Sequence, residues 1–126
     1  ILHDTENPKD VAETLAQIGP EAIAPLLEAL NSEDPSVRCA ALFGLDVSPF
    51  APRNVAEVFS ARLTDDNSTV RFYAARCLFH RPGNPERAVP MLIAKLEDGS
   101  GLVRRYAAHA LGAYGSEAIE ASPSLR

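Results

Sequence analysis

The sequence predicts an all-α fold, an α-solenoid of about three and a half stacked antiparallel helix pairs. Three observations lead there. The 126 residues hold only 7 Gly but 10 Pro and many Ala, a composition that favours helices separated by punctuation. The dipeptide Val-Arg recurs at Val37-Arg38, Val70-Arg71 and Val103-Arg104, 33 residues apart each time. On that register Leu30, Leu63 and Leu96 coincide before it, and Ala41, Ala74 and Ala107, then Leu45, Leu78 and Leu111, coincide after it.

Each repeat reads as a hairpin of two helices. Pro20, Pro52 and Pro85 open the first helices, over 21–31, 53–64 and 86–97, and Ser116 opens an incomplete fourth. Apolar residues recur there at helical spacing: Ile23, Leu26, Leu27 and Leu30; Val55, Val58, Phe59 and Leu63; Val89, Leu92, Ile93 and Leu96. Pro25 and Pro90 each lie five residues past the opening proline, where a proline either bends the helix or marks a later start. Pro49 and Pro82 fall in turns between pairs. The second helices begin three residues before each repeated Val, at Asp34, Asn67 and Ser100, whose side chains can accept a hydrogen bond from a first-turn amide. Pro35 then occupies the first helical position, where its missing N–H costs nothing.

With Val37 set at zero and about 100° per residue, Ala41 and Gly44 flank it, with Ala40 and Leu45 at the edges. Val70, Ala74, Cys77 and Leu78, and Val103, Ala107, Ala110 and Leu111, repeat that stripe. Its small residues let two helices approach closely, and one pair cannot bury it alone, so the pairs must stack. Residues 1–126 are thus expected to form a single domain with repeats at about 20–51, 52–84 and 85–115, a half repeat at 11–19 and a partial one at 116–126. The ends echo each other: Gly19-Pro20-Glu21-Ala22-Ile23 returns as Gly115-Ser116-Glu117-Ala118-Ile119. Residues 11–18 match 107–114 without the Val-Arg opening, with Pro8 where an Arg would stand. The last segment lacks a partner helix, so either it caps the third pair or the chain is a piece of a longer array. We expect the piece, because an apolar end face normally needs a polar cap. Self-association through end faces is expected on the same ground.

Written out, one repeat is Leu96-Glu97-Asp98-Gly99-Ser100-Gly101-Leu102-Val103-Arg104-Arg105-Tyr106-Ala107-Ala108-His109-Ala110-Leu111-Gly112. It resembles the HEAT repeat, in the bacterial HEAT-like form named after phycobilisome lyases, and the resemblance covers about residues 11–120. It implies a right-handed superhelix whose Val-Arg helices line the concave side. It also implies a ladder in which turn aspartates Asp65 and Asp98 bond Arg71 and Arg104. The first copy departs, with Ser32 at the aspartate position, leaving Asp34 or Glu33 for Arg38.

Composition narrows the function. Lys and Arg number 12 against 17 Asp and Glu, a net charge of -5, which argues against a large phosphate-binding face and makes nucleic acid an unfavoured partner. No run of about 18 apolar residues exists, so no membrane span is expected, and Ile1-Leu2-His3-Asp4 is too polar for a signal peptide. Cys39 and Cys77 stand 38 residues apart without a CxxC motif, indicating neither zinc nor a disulfide and fitting a reduced, cytoplasmic setting. Cys77 is expected in the core and Cys39 as a partly exposed thiol. No cofactor or metal is implied. Catalytic candidates are thin: Cys77 precedes His80 by one turn but lies in the small-residue stripe, and His3 with Glu6 lies near the terminus. The His-Glu pairs of HEAT-type iron hydroxylases do not occur, since Arg81 follows His80 and Ala110 follows His109. Gly99-Ser100-Gly101 is a turn feeding a cap.

The expected function is therefore a non-catalytic protein–protein interaction scaffold presenting a concave helical surface to a protein or peptide. Arg38, Arg71 and Arg104, with Asp34, Asp65 and Asp98, are read as architecture. Opposite the stripe fall Cys39, Phe43 and Asp46; Phe72, Arg76 and Phe79; and Arg105, His109 and Gly112. Beside them come Ala40, Tyr73 and Tyr106, then Val47, His80 and Ala113. Phe72, Arg76, Arg105 and His109 are the preferred exposed contacts. Phe43, Phe79, Tyr73 and Tyr106 join them as partner contacts or pack between pairs as core. Arg and aromatic residues on a rigid surface are the usual anchors of interfaces. The resemblance permits an enzymatic alternative, a phycobilin lyase subunit or accessory factor. Weak nucleic-acid binding through Arg76, Arg104 and Arg105 is the second alternative.

Overall fold

A computed structural model of the chain describes residues 19–115, and these are helical throughout apart from turns. The chain divides into two compact units, Ile1–Arg53 and Asn54–Arg126. In the first, a 3-10 turn at Pro20–Ala22 leads into α1 (Ile23–Ala29), followed by α2 (Pro35–Val47), and the two pack as a hairpin. In the second, α3 (Val55–Ala61) runs into a 3-10 turn at Arg62–Thr64, followed by α4 (Ser68–His80), α5 (Pro85–Lys95) and α6 (Gly101–Tyr114). There α3 pairs with α4 and α5 with α6, while α4 lies along α6 and α3 along α5. Two hairpins are thereby stacked in two layers, the arrangement of an α-solenoid. The half repeat at 11–19, except for Gly19, and the partial repeat at 116–126 lie outside the described residues, as do His3, Glu6 and Pro8.

The second helices start where the sequence places them. The Asp34 carboxylate accepts from the Ser36 amide at 2.9 Å. Asn67 Oδ1 accepts from the Thr69 and Val70 amides at 2.9 and 3.2 Å. Ser100 Oγ accepts from the Val103 amide at a longer 3.5 Å. Pro35 and Pro85 take the first helical position, and Asn84 caps α5 through the Glu86 amide at 3.0 Å. Gly115, at φ +59°, ends α6 in a conformation that L side chains rarely adopt.

The first helices are shorter than the expected 21–31, 53–64 and 86–97. Each ends on the repeated leucine in a tightened turn: Asn31 N–H donates to the Glu28 carbonyl, Asp65 N–H to that of Arg62, and Leu96 N–H to that of Ile93. Such three-residue bonds satisfy terminal carbonyls while turning the chain toward the next helix. Pro52 does not open α3, which begins at Val55. Pro49 and Pro52 each disfavour helical conformation in the residue before them, as the extended Ser48 shows, and the chain turns over 53–54 before the helix starts. Pro25 sits in the first turn of α1, so it accompanies a late start, whereas Pro90 lies inside α5 and removes the bond to the Glu86 carbonyl.

The small-residue stripe forms the core. Val70, Ala74 and Leu78 are fully buried, as are Val103, Ala107 and Ala110, with Cys77 at 1% exposure and Leu111 at 4%. Phe59, Leu63, Val89 and Leu92 supply the facing surface of the other layer. Gly83 shows how tightly the second unit closes. Its N–H donates to the Tyr114 hydroxyl at 3.1 Å, and a Cβ added there would collide with the Ala56 side chain. The α4–α5 turn is thus held between α3 and the end of α6.

The caps differ measurably in geometry, and stability is expected to follow. Asn67→Ala removes an acceptor shared by two amides and should cost about 1–2 kcal/mol, whereas Ser100→Ala should cost less than about 1 kcal/mol. Urea unfolding followed by circular dichroism checks the order, and equal losses would contradict it.

Candidate functional site

The turns carry a repeated module. Two residues before each cap, a side chain accepts from the cap's own amide: Ser32 Oγ from Asp34 N–H at 3.1 Å, Asp65 Oδ1 from Asn67 N–H at 2.9 Å, Asp98 Oδ1 from Ser100 N–H at 2.9 Å. The backbone carbonyl of that same residue accepts from the arginine six positions on. Arg38 Nη1 reaches the Ser32 carbonyl at 2.8 Å, Arg71 Nη1 that of Asp65 at 2.9 Å, and Arg104 Nη1 that of Asp98 at 2.7 Å. The implied ladder therefore has a different wiring from the one expected. Within a repeat the arginine bonds the turn's backbone, so Ser32 serves Arg38 as an aspartate would, and Asp34 acts as a cap.

The carboxylate is used between repeats. Arg71 grips Asp98 with two bonds, Nε to Oδ2 at 2.8 Å and Nη2 to Oδ1 at 3.1 Å, tying α4 to the turn ahead of α6. Lys95 Nζ stands 3.8 Å from Oδ2. The side chains are 18% and 5% exposed, sheltered enough for the pair to matter. Burial alone raises the Asp98 carboxyl. The hydrogen bonds from Arg71 and the Ser100 amide, with the charges of Arg71 and Lys95, outweigh it and hold Asp98 below the usual carboxylate value. By contrast, Arg87 and Glu57, bonded at 2.7 Å on the other layer, are well exposed and contribute little.

Away from the stripe, α4 and α6 share a row of rings. Tyr73 meets Phe72 at 5.0 Å between centroids, and Phe72 meets Tyr106 at 5.1 Å. Tyr106 meets His109 at 5.3 Å, His109 meets Phe79 at 5.9 Å, and Phe79 meets His80 at 5.5 Å. The contacts among Tyr73, Phe72, Tyr106 and His109 are edge-to-face, the geometry in which ring quadrupoles attract. Phe79, His80, Arg105 and His109 are exposed, while Phe72, Tyr73, Tyr106 and Arg76 are half-buried. Seven of the eight partner-contact candidates therefore belong to one surface of the second unit. His80, noted in the sequence only as a neighbour, is the row's last ring. Its spacing of one residue from Phe79 gave no cue that both rings sit in one row with His109.

Phe43 does not join them. It is 9% exposed, and Cys39 and Asp46 beside it are also buried, at 5% and 9%. The reason lies in α2: residues 39–45 are apolar without interruption, and a helix apolar on all sides is buried on all sides. Cys39 is accordingly a buried thiol, not a partly exposed one. Cys77 is buried as expected while His80 is exposed, so the pair offers no shared reactive surface. Among the described residues, no group of three His, Cys, Asp or Glu could hold a metal ion, and no helix is long and apolar enough to cross a membrane.

Comparison with known proteins agrees with this architecture. The family described as HEAT repeats matches residues 55–126, the HEAT repeat matches 22–47, and the PBS lyase HEAT-like repeat matches 9–32. No curated protein matches. Among solved structures, the crystal structure of an engineered protein superposes with a TM-score of 0.64 at 27% identity, over 95% of this chain. The chain spans 63% of that engineered protein.

The Arg71–Asp98 link makes a pH prediction. Because the folded Asp98 value lies below its unfolded value, its contribution is complete at neutral pH and is lost as pH falls through the folded value. Asp98→Asn should destabilise by about 1–3 kcal/mol at neutral pH, and the gap to wild type should narrow only in acid, closing as pH falls through the lowered folded value of Asp98. Unfolding midpoints across pH test this, and a pH-independent gap would contradict it.

Proposed function

Since the chain belongs to the HEAT-repeat family, we propose that it is a non-catalytic scaffold that uses the α4/α6 surface to hold a protein or peptide partner. The observation that carries this reading is the continuous ring row from Tyr73 to His80, with Arg76 and Arg105 on the same helices. Aromatic side chains already ordered by mutual contact lose little freedom when a partner docks, and this makes them effective anchors. Nothing on this surface pairs a nucleophile with a base in the way acyl or group transfer requires. The PBS lyase HEAT-like match concerns repeat type and covers residues 9–32, away from the ring row. A reduced, cytoplasmic setting fits the two buried thiols.

The double variant Arg76→Glu, Arg105→Glu is expected to abolish capture of the partner from the native source while leaving the helical circular dichroism signal intact. An unchanged set of captured proteins would end the proposal. Mixing the protein with a bilin and an apo-phycobiliprotein is expected to leave the absorbance spectrum unchanged, and a bilin adduct forming only in its presence would favour the lyase reading.

A further inference from the structure

Among the described aspartates, Asp98 alone is followed by glycine: Pro35 follows Asp34, Val47 follows Asp46, Asp66 follows Asp65 and Asn67 follows Asp66. An aspartyl carboxyl and the amide nitrogen of the next residue can close a cyclic imide. A Cβ on that next residue hinders the approach, and proline has no N–H to give up. Gly99 presents neither obstacle. It is exposed, a Cβ built on it would meet nothing within 4 Å, and among the described residues nothing accepts from its N–H. The nucleophile is thus open, but the carboxyl it would attack is clamped. Arg71 Nε bonds Oδ2 at 2.8 Å, and Oδ1 accepts from Arg71 Nη2 at 3.1 Å and from the Ser100 amide at 2.9 Å.

From this pairing of an open amide with a clamped carboxyl we infer that Asp98–Gly99 is a site of isoaspartate formation that Arg71 holds in check. The Gly99 nitrogen attacks Asp98 Cγ: a C–N bond forms, the Cγ–OH bond breaks, and the hydroxyl leaves with the amide proton as one water. Water then opens the imide. Addition at Cγ restores aspartate, whereas addition at the former backbone carbonyl routes the chain through Cβ and Cγ and leaves a carboxylate on Cα. No oxidant or reductant takes part, and the final mass equals the starting mass. Closure needs a protonated carboxyl and a free Cγ, and Arg71 opposes both. Against the effect of burial, its bonds and charge help keep Asp98 below the usual carboxylate value, so the protonated form is scarce at neutral pH. Both bonds of the fork must also break before Cγ reaches the nitrogen. The product unmakes the turn. Isoaspartate lengthens the backbone by one carbon and exchanges the roles of two groups: the carbonyl that Arg104 Nη1 meets at 2.7 Å and the carboxylate that ties α4 to the turn ahead of α6.

Ageing the full chain beside a free synthetic copy of its tryptic peptide Leu96–Arg104 in neutral buffer tests this. Isoaspartate in the digest is resolved from aspartate by reversed-phase chromatography against synthetic standards, and circular dichroism of each sample reports the helices. The folded chain should convert at least about tenfold more slowly than the peptide, the factor that bonds to a charged group of this kind set. Arg71→Ala should close most of that gap. Arg71→Lys keeps the charge without the fork and should fall between, deciding the matter if the alanine variant loses its helices. Arg104→Ala, which removes only the bond to the Asp98 carbonyl, should keep the wild-type rate. Gly99→Ala, with open space for its Cβ, should convert more slowly still with an unchanged helical signal. A folded chain as fast as the free peptide would overturn the inference, as would wild-type rates in both Arg71 variants. Equal acceleration in Arg104→Ala would assign the protection to the order of the turn and overturn the role of the fork.

Discussion

Each arginine that opens a second helix bonds a backbone carbonyl in the turn six residues before it, and the same turn residue uses its side chain to order the helix cap. This small circuit, Ser32–Asp34–Arg38, Asp65–Asn67–Arg71 and Asp98–Ser100–Arg104, settles the direction in which the chain leaves the turn. Orphan amides at the start of a helix and orphan carbonyls in a turn are costly to leave unbonded, and one circuit satisfies both. The cap and the arginine are four residues apart in each copy, so the helix starts in the same phase each time. In the second unit the Val that precedes the arginine, Val70 or Val103, is then directed into the core, whereas Val37 of the first copy is half-buried.

From a common phase follows the stacking of the second unit. Ala74, Ala107 and Ala110 sit in the stripe because anything larger would push α4 from α6, and those two helices share the broadest contact of the unit. The Arg71–Asp98 pair adds a link that no single hairpin contains, because its partners belong to successive repeats. Two kinds of bond thus divide the labour. The carbonyl bond shapes one hairpin, and the carboxylate bond sets the next hairpin against it. An aspartate is needed only for the second task, which explains how Ser32 can stand in the first copy and still complete its own turn.

The architecture was legible because it is written in spacing. Three copies of Val-Arg at one interval gave the repeat, and Asp34, Asn67 and Ser100 gave the helix starts before any contact was known. What spacing did not give was which acceptor an arginine takes. A carbonyl and a carboxylate of the same residue are indistinguishable in a sequence register, and Asp65 and Asp98 therefore read as the obvious partners of Arg71 and Arg104. Phe43 was misplaced for another reason. Its angular position matches Arg76 and His109, but a helical wheel locates a side chain relative to its own helix and says nothing of what covers the far side. The uninterrupted apolar run from Cys39 to Leu45 was the signal, and a polar outward face, present on α6 as Arg105 and His109, was what α2 lacked.

The net charge of -5 misleads in a similar way, because it averages parts that differ in sign. A solenoid separates its tasks by layer: turns need acids to cap helices and hold arginines, stripes need small apolar residues, and only the remaining positions are free to carry chemistry. Acids drawn into the turns leave α4 and α6 without any, so an acidic chain can hold two helices whose only formally charged residues are arginines. The local sign of one layer, rather than the total, is therefore the electrostatic quantity that a docking segment meets.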